Sequence, residues 1–274
     1  ITTGGSHVAI GRHALKTVTT VTDCVAVGMH ALEANTVSAT TAIGSYSLYK
    51  NTTGTGNTGV GYTTLEENTT GSDNTAVGSD ALDANTTGAN NTAVGQQALS
   101  ANTTANDNTA VGKNSMLTNT EGYSNTAIGI YSLRQNTTGD NNVAVGQSAL
   151  LSNTTANANT SVGYNSMYSN TTGTANVALG FNALEDNTTG DANTAIGYEA
   201  LLQTTTSHDN TAVGYYALKN TNGVTGNTAV GKAALANNQA DFNTAVGFGA
   251  LQANTTGTGN TAVGDEALVA ATTQ

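Results

Sequence analysis

Glycine at a fixed interval constrains this chain more than any other feature. Gly78, Gly95 and Gly112 belong to a set of sixteen that runs from Gly11 to Gly264, with 17 residues between neighbours in thirteen of the fifteen intervals and 16 in the other two. Around each glycine lies one motif, cleanest over Asn74 to Asn90: Asn-Thr-Ala-Val-Gly-x-x-Ala-Leu-x-x-Asn-Thr-Thr-Gly-x-x. A 17-residue unit cannot bury its own apolar face, so units like this gain stability by stacking on one another. The expected fold is therefore all-β: a parallel β-solenoid of about 16 coils, one per repeat, with residues 1–274 forming a single repeat array. Because Ile1 enters in mid-motif, the array reads as a segment of a longer fibre.

The sixteen copies show what each position tolerates. Position 1 is Asn in thirteen copies, Asn74 and Asn91 among them, and stacked Asn side chains form hydrogen-bonded ladders along an axis. Position 2 is mostly Thr but Val at Val8, Val25, Val143 and Val177, while position 4 is always Val, Ile or Leu. Positions 2 and 4 share one face of a strand, and a Thr that exchanges with Val is chosen for its shape, so this face is expected in the core. Position 3 is Ala in fourteen copies, with Gly59 and Ser161 as exceptions. Its small face is expected to meet a close neighbour, leaving it to another chain on association. The glycine at position 5 never varies, which calls for a positive φ or a backbone too close to admit a Cβ.

Positions 6 and 7 vary widely and read as solvent-facing. Position 9 is Leu or Met in every copy, as at Leu82 and Leu99, and anchors a corner. Positions 5, 8, 9 and 12 also have the spacing of one helical face, which permits a short helical turn at the Ala-Leu corner. Asn-Thr-Thr-Gly then returns the chain to the next strand.

Composition narrows the partners. The net charge of −11, from 18 acids and 7 bases without a basic cluster, disfavours nucleic acid and anionic membranes. No apolar run approaches the roughly 18 residues of a membrane span. The lone Cys24 occupies an Asn position and reads as a packing substitution. No catalytic constellation and no cofactor motif emerges. His13 and His30 share position 7 of adjacent coils without a third ligand at that phase, so no metal site is expected. Asp73, Asp107, Asp140, Asp191 and Asp209 read as solvated turn residues.

Three features of the variable positions bear on binding. Tyr164, Phe181, Tyr198 and Tyr215 occupy position 6 of four successive coils, with Phe248 two coils on, and such a rank is suited to a sugar or a neighbouring fibre. The threonines of positions 13 and 14 would recur on a lattice, the basis of an ice-binding alternative. Asn51, Asn68, Asn85, Asn136, Asn170, Asn187 and Asn254 satisfy the glycosylation sequon as part of the motif itself.

Segments such as His7-Val8-Ala9-Ile10-Gly11 and Asn142-Val143-Ala144-Val145-Gly146 resemble the Val-Ala-Ile-Gly core of head repeats in trimeric autotransporter adhesins. The longer unit resembles repeats of phage tail fibres and other secreted microbial fibres. The resemblance covers the whole chain and implies an extracellular, non-enzymatic fibre segment, self-associating as a homotrimer or an end-to-end polymer, with a cell-surface glycan as a candidate partner. The repeats are also similar in length to those of triple β-spiral shafts, which commonly carry a turn proline; this chain has none.

Overall fold

The computed structural model describes residues 5–269, in two compact units, Ile1–Gly139 and Asp140–Gln274. The first holds eight three-residue strands, from β1 (Val8–Ile10) to β8 (Thr126–Ile128); the second holds eight more, from β9 (Val143–Val145) to β16 (Thr261–Val263). Within each unit successive strands pair in parallel, position for position, as in Thr75↔Thr92, Ala76↔Ala93 and Val77↔Val94. Each unit is a parallel β-solenoid with one strand per coil of about 17 residues, as the glycine period predicts. No helix occurs among the described residues. Positions 6 to 11 form turns instead, so the short helical turn at the Ala-Leu corner is absent.

The two strand faces are the reverse of the sequence expectation. Ala at position 3 is fully buried in nearly every coil, whereas positions 2 and 4 are half-buried or exposed: Val77 is 36% and Leu179 46% exposed. A single strand of three residues can point only its central side chain inward. The space it meets is already filled from across the coil by positions 8 and 9, and Ala is what fits. The one Gly at position 3 shows the limit. A Cβ on Gly59 would lie 3.0 Å from Thr64 Oγ1 and 2.5 Å from Ser47 Oγ, and Thr64 is the one Thr at position 8. Ser161, the other exception, donates its hydroxyl to the carbonyl of Ser166 at position 8 of its own coil (2.7 Å).

Both reasons for glycine at position 5 hold together. All sixteen have φ between +127° and +145°, and a Cβ on Gly95 would stand 2.6 Å from the Gly112 carbonyl oxygen. The corner that follows has a property that residue preferences do not suggest: position 9 takes φ between +48° and +55° in all sixteen coils, although it is always Leu or Met. Left-handed backbone costs a non-glycine residue about 1–2 kcal/mol, against about 1.5–3 kcal/mol from burying the side chain. Leu82, Leu99 and their interior counterparts are completely buried, so burial outweighs the strain. Position 7 is left-handed as well, with His13, Asp80 and Gln97 at φ +62°, +56° and +56°. It is half-buried or buried in all coils but the one at Glu266 rather than solvent-facing, and of the two positions it is position 6 that is exposed in most coils.

Two ladders of buried Asn complete the interior. At position 1, the Asn57 Oδ1 accepts the backbone N–H of Asn74 (2.9 Å) and its side-chain amide (3.2 Å). At position 12, Asn68 donates to Asn51 Oδ1 (2.8 Å), Asn85 to Asn68 (2.8 Å) and Asn102 to Asn85 (2.9 Å). The ladders meet at the carbonyl of position 15: the Gly71 oxygen accepts from both Asn68 (3.0 Å) and Asn57 (2.7 Å), positions 12 and 1 of the same repeat. The ladder amides therefore find partners without water.

Candidate functional site

With Ala, Leu and Asn turned inward, chemistry available to a partner lies on the outward positions. The strand face presents Thr and β-branched apolar side chains in register along each unit. Ile43, Val77 and Ile128 in the first and Val177, Leu179, Val230 and Val246 in the second are all exposed. The small-residue Ala face, expected to meet another chain, is consumed inside the coil. The face left unpartnered is the larger apolar one.

Position 6 carries the aromatic rank. Tyr164, Phe181, Tyr198 and Tyr215 are stacked with centroids 5.2, 5.2 and 5.1 Å apart and planes within 12° of parallel. Phe248 continues the rank through a cation: Lys232 Nζ lies 5.7 Å from the Tyr215 ring and 5.6 Å from Phe248. The rings lean on one another, so their faces are largely covered by each other and their edges point outward. Beside them Tyr216 and Lys219 lie against the rank, with Lys219 Nζ 3.8 Å from the Tyr216 ring and 2.7 Å from Glu199 Oε2. The hydrogen bond to Tyr216, with desolvation, pushes the Tyr215 phenol up from 10 to about 12. Tyr198 is raised too, chiefly by its bond to Glu199.

The threonines of position 13 have a structural task. Thr69 donates to the Thr86 carbonyl (3.0 Å), Thr86 to Thr103 (3.0 Å) and Thr171 to Thr188 (2.9 Å), so their hydroxyl protons are directed along the stack. Position 14 is exposed, as at Thr70 and Thr87. The seven sequon asparagines, Asn51, Asn68, Asn85, Asn136, Asn170, Asn187 and Asn254, are fully buried position-12 residues. Their amides face the coil interior, and the folded coil presents none of them to a glycosyl transferase. Cys24 is equally buried, its thiol pushed up by burial, and it stands in the position-1 ladder with Asn35 Nδ2 3.6 Å away.

The acidic turn residues do not gather. Asp107 accepts from Asn90 Nδ2 (3.0 Å), and Asp191 accepts from the Thr174 backbone (2.6 Å) and hydroxyl (3.1 Å). The two histidines are different. Sequence phase leaves His13 and His30 without a third ligand, but the αL corner swings position 10 of the same coil toward position 7, and Glu33 joins them. The Glu33 carboxyl is held below the usual range by its bonds to His30 and Lys16. Loss of solvent around His13, with Lys16 nearby, lowers the imidazole pKa. Spacing within the motif was the available signal: positions 7 and 10 are i and i+3 across a turn. No protein-family model matches the chain, and no curated protein sequence matches it.

Proposed function

We propose that this chain is a non-enzymatic structural and adhesive segment of an extracellular fibre, of the phage tail-fibre or microbial surface-filament kind, built from parallel copies of itself. The observation that carries the reading is the outward strand face. A coil whose polar interior is saturated with its own hydrogen bonds leaves a regular rank of Val, Ile and Leu exposed, and contiguous exposed apolar surface marks an interaction face. A second copy is the fitting occupant because it alone offers apolar side chains at the same axial period over the same number of coils. Three chains closing around these faces would make a homotrimer, and the variable position 6, with its aromatic rank, would then remain on the outside.

The test is the mass of the particle. Light scattering behind size exclusion is expected to give a multiple of 27.4 kDa, three-fold in the preferred arrangement. The triple variant Ile43→Asp, Val77→Asp and Ile128→Asp is expected to reduce it to one chain while circular dichroism stays unchanged. A wild-type chain that is monomeric at micromolar concentration refutes the proposal.

A further inference from the structure

Among the described residues, one group of three side chains can converge on a metal ion: His13, His30 and Glu33. One ligand-capable atom from each lies within 4.8 Å of the others. Glu33 Oε2 is in hydrogen-bond contact with His30 Nδ1 and lies 3.9 Å from His13 Nδ1. The two rings stand one coil apart, centroids 4.9 Å and nearly perpendicular. A tetrahedral zinc ion, with ligands at about 2.0–2.2 Å, needs donors about 3.4 Å apart, so rotamer adjustment alone brings these three into range.

Three further features make this more than a coincidence of spacing. First, His13 Nδ1 is buried and has no hydrogen-bond partner, a position whose lone pair a ligand would satisfy. Second, the surroundings orient the donors as outer-shell groups do at metal sites. Lys16 Nζ holds the other carboxylate oxygen, Oε1, at 2.9 Å and so leaves Oε2 to the histidines. Tyr46 stacks on the His30 ring at 4.9 Å and 14°, and Tyr49 meets it edge-on at 5.8 Å, which fixes the imidazole plane. Third, the donors come from two successive coils, His13 from one and His30 and Glu33 from the next, so one ion would bridge them. The positive charges of Arg12 and Lys16 oppose a cation here; the Lys16–Glu33 pair satisfies one of them without using Oε2.

We propose that His13, His30 and Glu33 form a three-ligand site for a first-row divalent metal, zinc above all, that clips the first coil to the second. Two imidazoles and one carboxylate, with a fourth position open to water, suit zinc, cobalt or nickel and disfavour the oxygen-seeking calcium ion. The ion would add bonds between two successive coils, beyond the backbone pairing of β1 (Val8–Ile10) with the next strand.

The test uses the full chain and Co²⁺ as a spectroscopic probe for zinc. Titration is expected to give saturable visible absorption at one Co²⁺ per chain, displaced by Zn²⁺ and unaffected by a large excess of Ca²⁺. His13→Ala, His30→Ala and Glu33→Gln should each weaken binding at least tenfold, while His208→Ala leaves it within twofold. Glu33→Gln keeps the side-chain shape, so its loss of binding cannot be assigned to misfolding if circular dichroism is unchanged. Zn²⁺ should also slow amide exchange of His30, whose N–H bonds to the Arg12 carbonyl (2.9 Å) across the two coils. Absence of saturable Co²⁺ binding, displacement by Ca²⁺, or Glu33→Gln binding as the wild type would overturn the proposal.

Discussion

Gly95→Ala is the substitution that most directly interrogates how the coils stack. The residue has φ +137°, and its new Cβ would lie 2.6 Å from both the carbonyl carbon and oxygen of Gly112 and 3.1 Å from the Lys113 nitrogen. Two costs add. Holding a non-glycine residue in a backbone region that essentially only glycine visits costs about 1–3 kcal/mol, and forcing a methyl group against backbone that is itself hydrogen-bonded costs about 1–3 kcal/mol more. The sum is about 2–6 kcal/mol, located at one coil interface. The control is Gly88→Ala at position 15. A Cβ there would lie 2.5 Å from the Ala105 carbonyl oxygen and closer still to Asn85 Oδ1, so the contact term remains, yet its φ is not in the left-handed region, and the next coil already carries Ala105 at that position with both Asn amides still bonded to its carbonyl (2.9 and 3.1 Å). Its cost should be the contact term alone, about 1–3 kcal/mol, without the conformational one and centred one coil away from Gly112. A repeat array can open one interface at a time, so a single unfolding free energy is a poor readout. Amide exchange is local. The Gly112 N–H, bonded to the Val94 carbonyl at 2.7 Å, should exchange at least about 30-fold faster in Gly95→Ala and within about fivefold in Gly88→Ala, at tenfold per 1.4 kcal/mol. Equal effects of the two substitutions would refute the argument that position 5 is restricted by conformation and contact together.

Two other perturbations test the interior and the aromatic rank. Asn102→Ala removes donors to Asn85 Oδ1 and the Ala105 carbonyl and the acceptor for Asn119 Nδ2 (3.2 Å), and it should cost about 2–4 kcal/mol because partners are left buried and unpaired. Asn102→Thr should cost about half as much, read as local amide exchange of the Asn119 N–H, since Thr204 and Thr221 fill position 12 elsewhere, with Thr221 Oγ1 donating to the Leu218 carbonyl (2.9 Å). In alkali, Tyr215 titrates near 12 in the folded chain against about 10 unfolded. The folded state therefore holds the proton more tightly, and this contribution is complete below pH 10 and lost as pH rises to 12. Tyrosinate absorbance should show Tyr215 ionising last, and Tyr216→Phe, which removes its hydrogen-bond partner, should return it toward 10; an unchanged titration would contradict the pairing.

Period, closure and strand position were all legible in the sequence, because sixteen copies of one 17-residue unit fix them by repetition. So were both constraints on the position-5 glycine and the position-1 Asn ladder. The inward face was not. Thr-Ala-Val alternates in a way that satisfies either orientation, and the larger Val drew the core to itself. The physical decision lies in cross-coil volume, and one trace of it stood in the sequence: Gly59 and Thr64, the sole Gly at position 3 and the sole Thr at position 8, fall in the same coil. The left-handed Leu was hidden because residue preference opposes it and only burial of the side chain overrides it. Glu33 was missed beside His13 and His30 for the same reason, since the αL backbone at positions 7 and 9 brings together residues that motif phase keeps apart.

The two 16-residue coils show what the stack holds constant. Both lack one residue, and both keep strand register: β2 (Val25–Val27) pairs Val25↔Thr41 with β3 (Thr41–Ile43), and β14 (Thr228–Val230) pairs Thr228↔Thr244 with β15 (Thr244–Val246). The deletion is absorbed in the return turn. In full coils the position-12 amide bonds the carbonyl three residues on, as Asn68 to Gly71 (3.0 Å). In the short coils it reaches two residues on, Asn35 to Val37 (2.6 Å) and Asn238 to Ala240 (2.5 Å). The ladder itself continues, with Asn51 donating to Asn35 Oδ1 (2.8 Å) and Asn254 to Asn238 Oδ1 (2.7 Å). A strand slip of one residue would turn Ala outward and Val inward, and it would also break the alignment of every buried amide above and below. The exposed return turn is the one place where length can change without either penalty. The polar interior thus sets register, and insertions into the Thr-Thr-Gly segment, rather than into positions 1 to 12, are the changes these coils should tolerate.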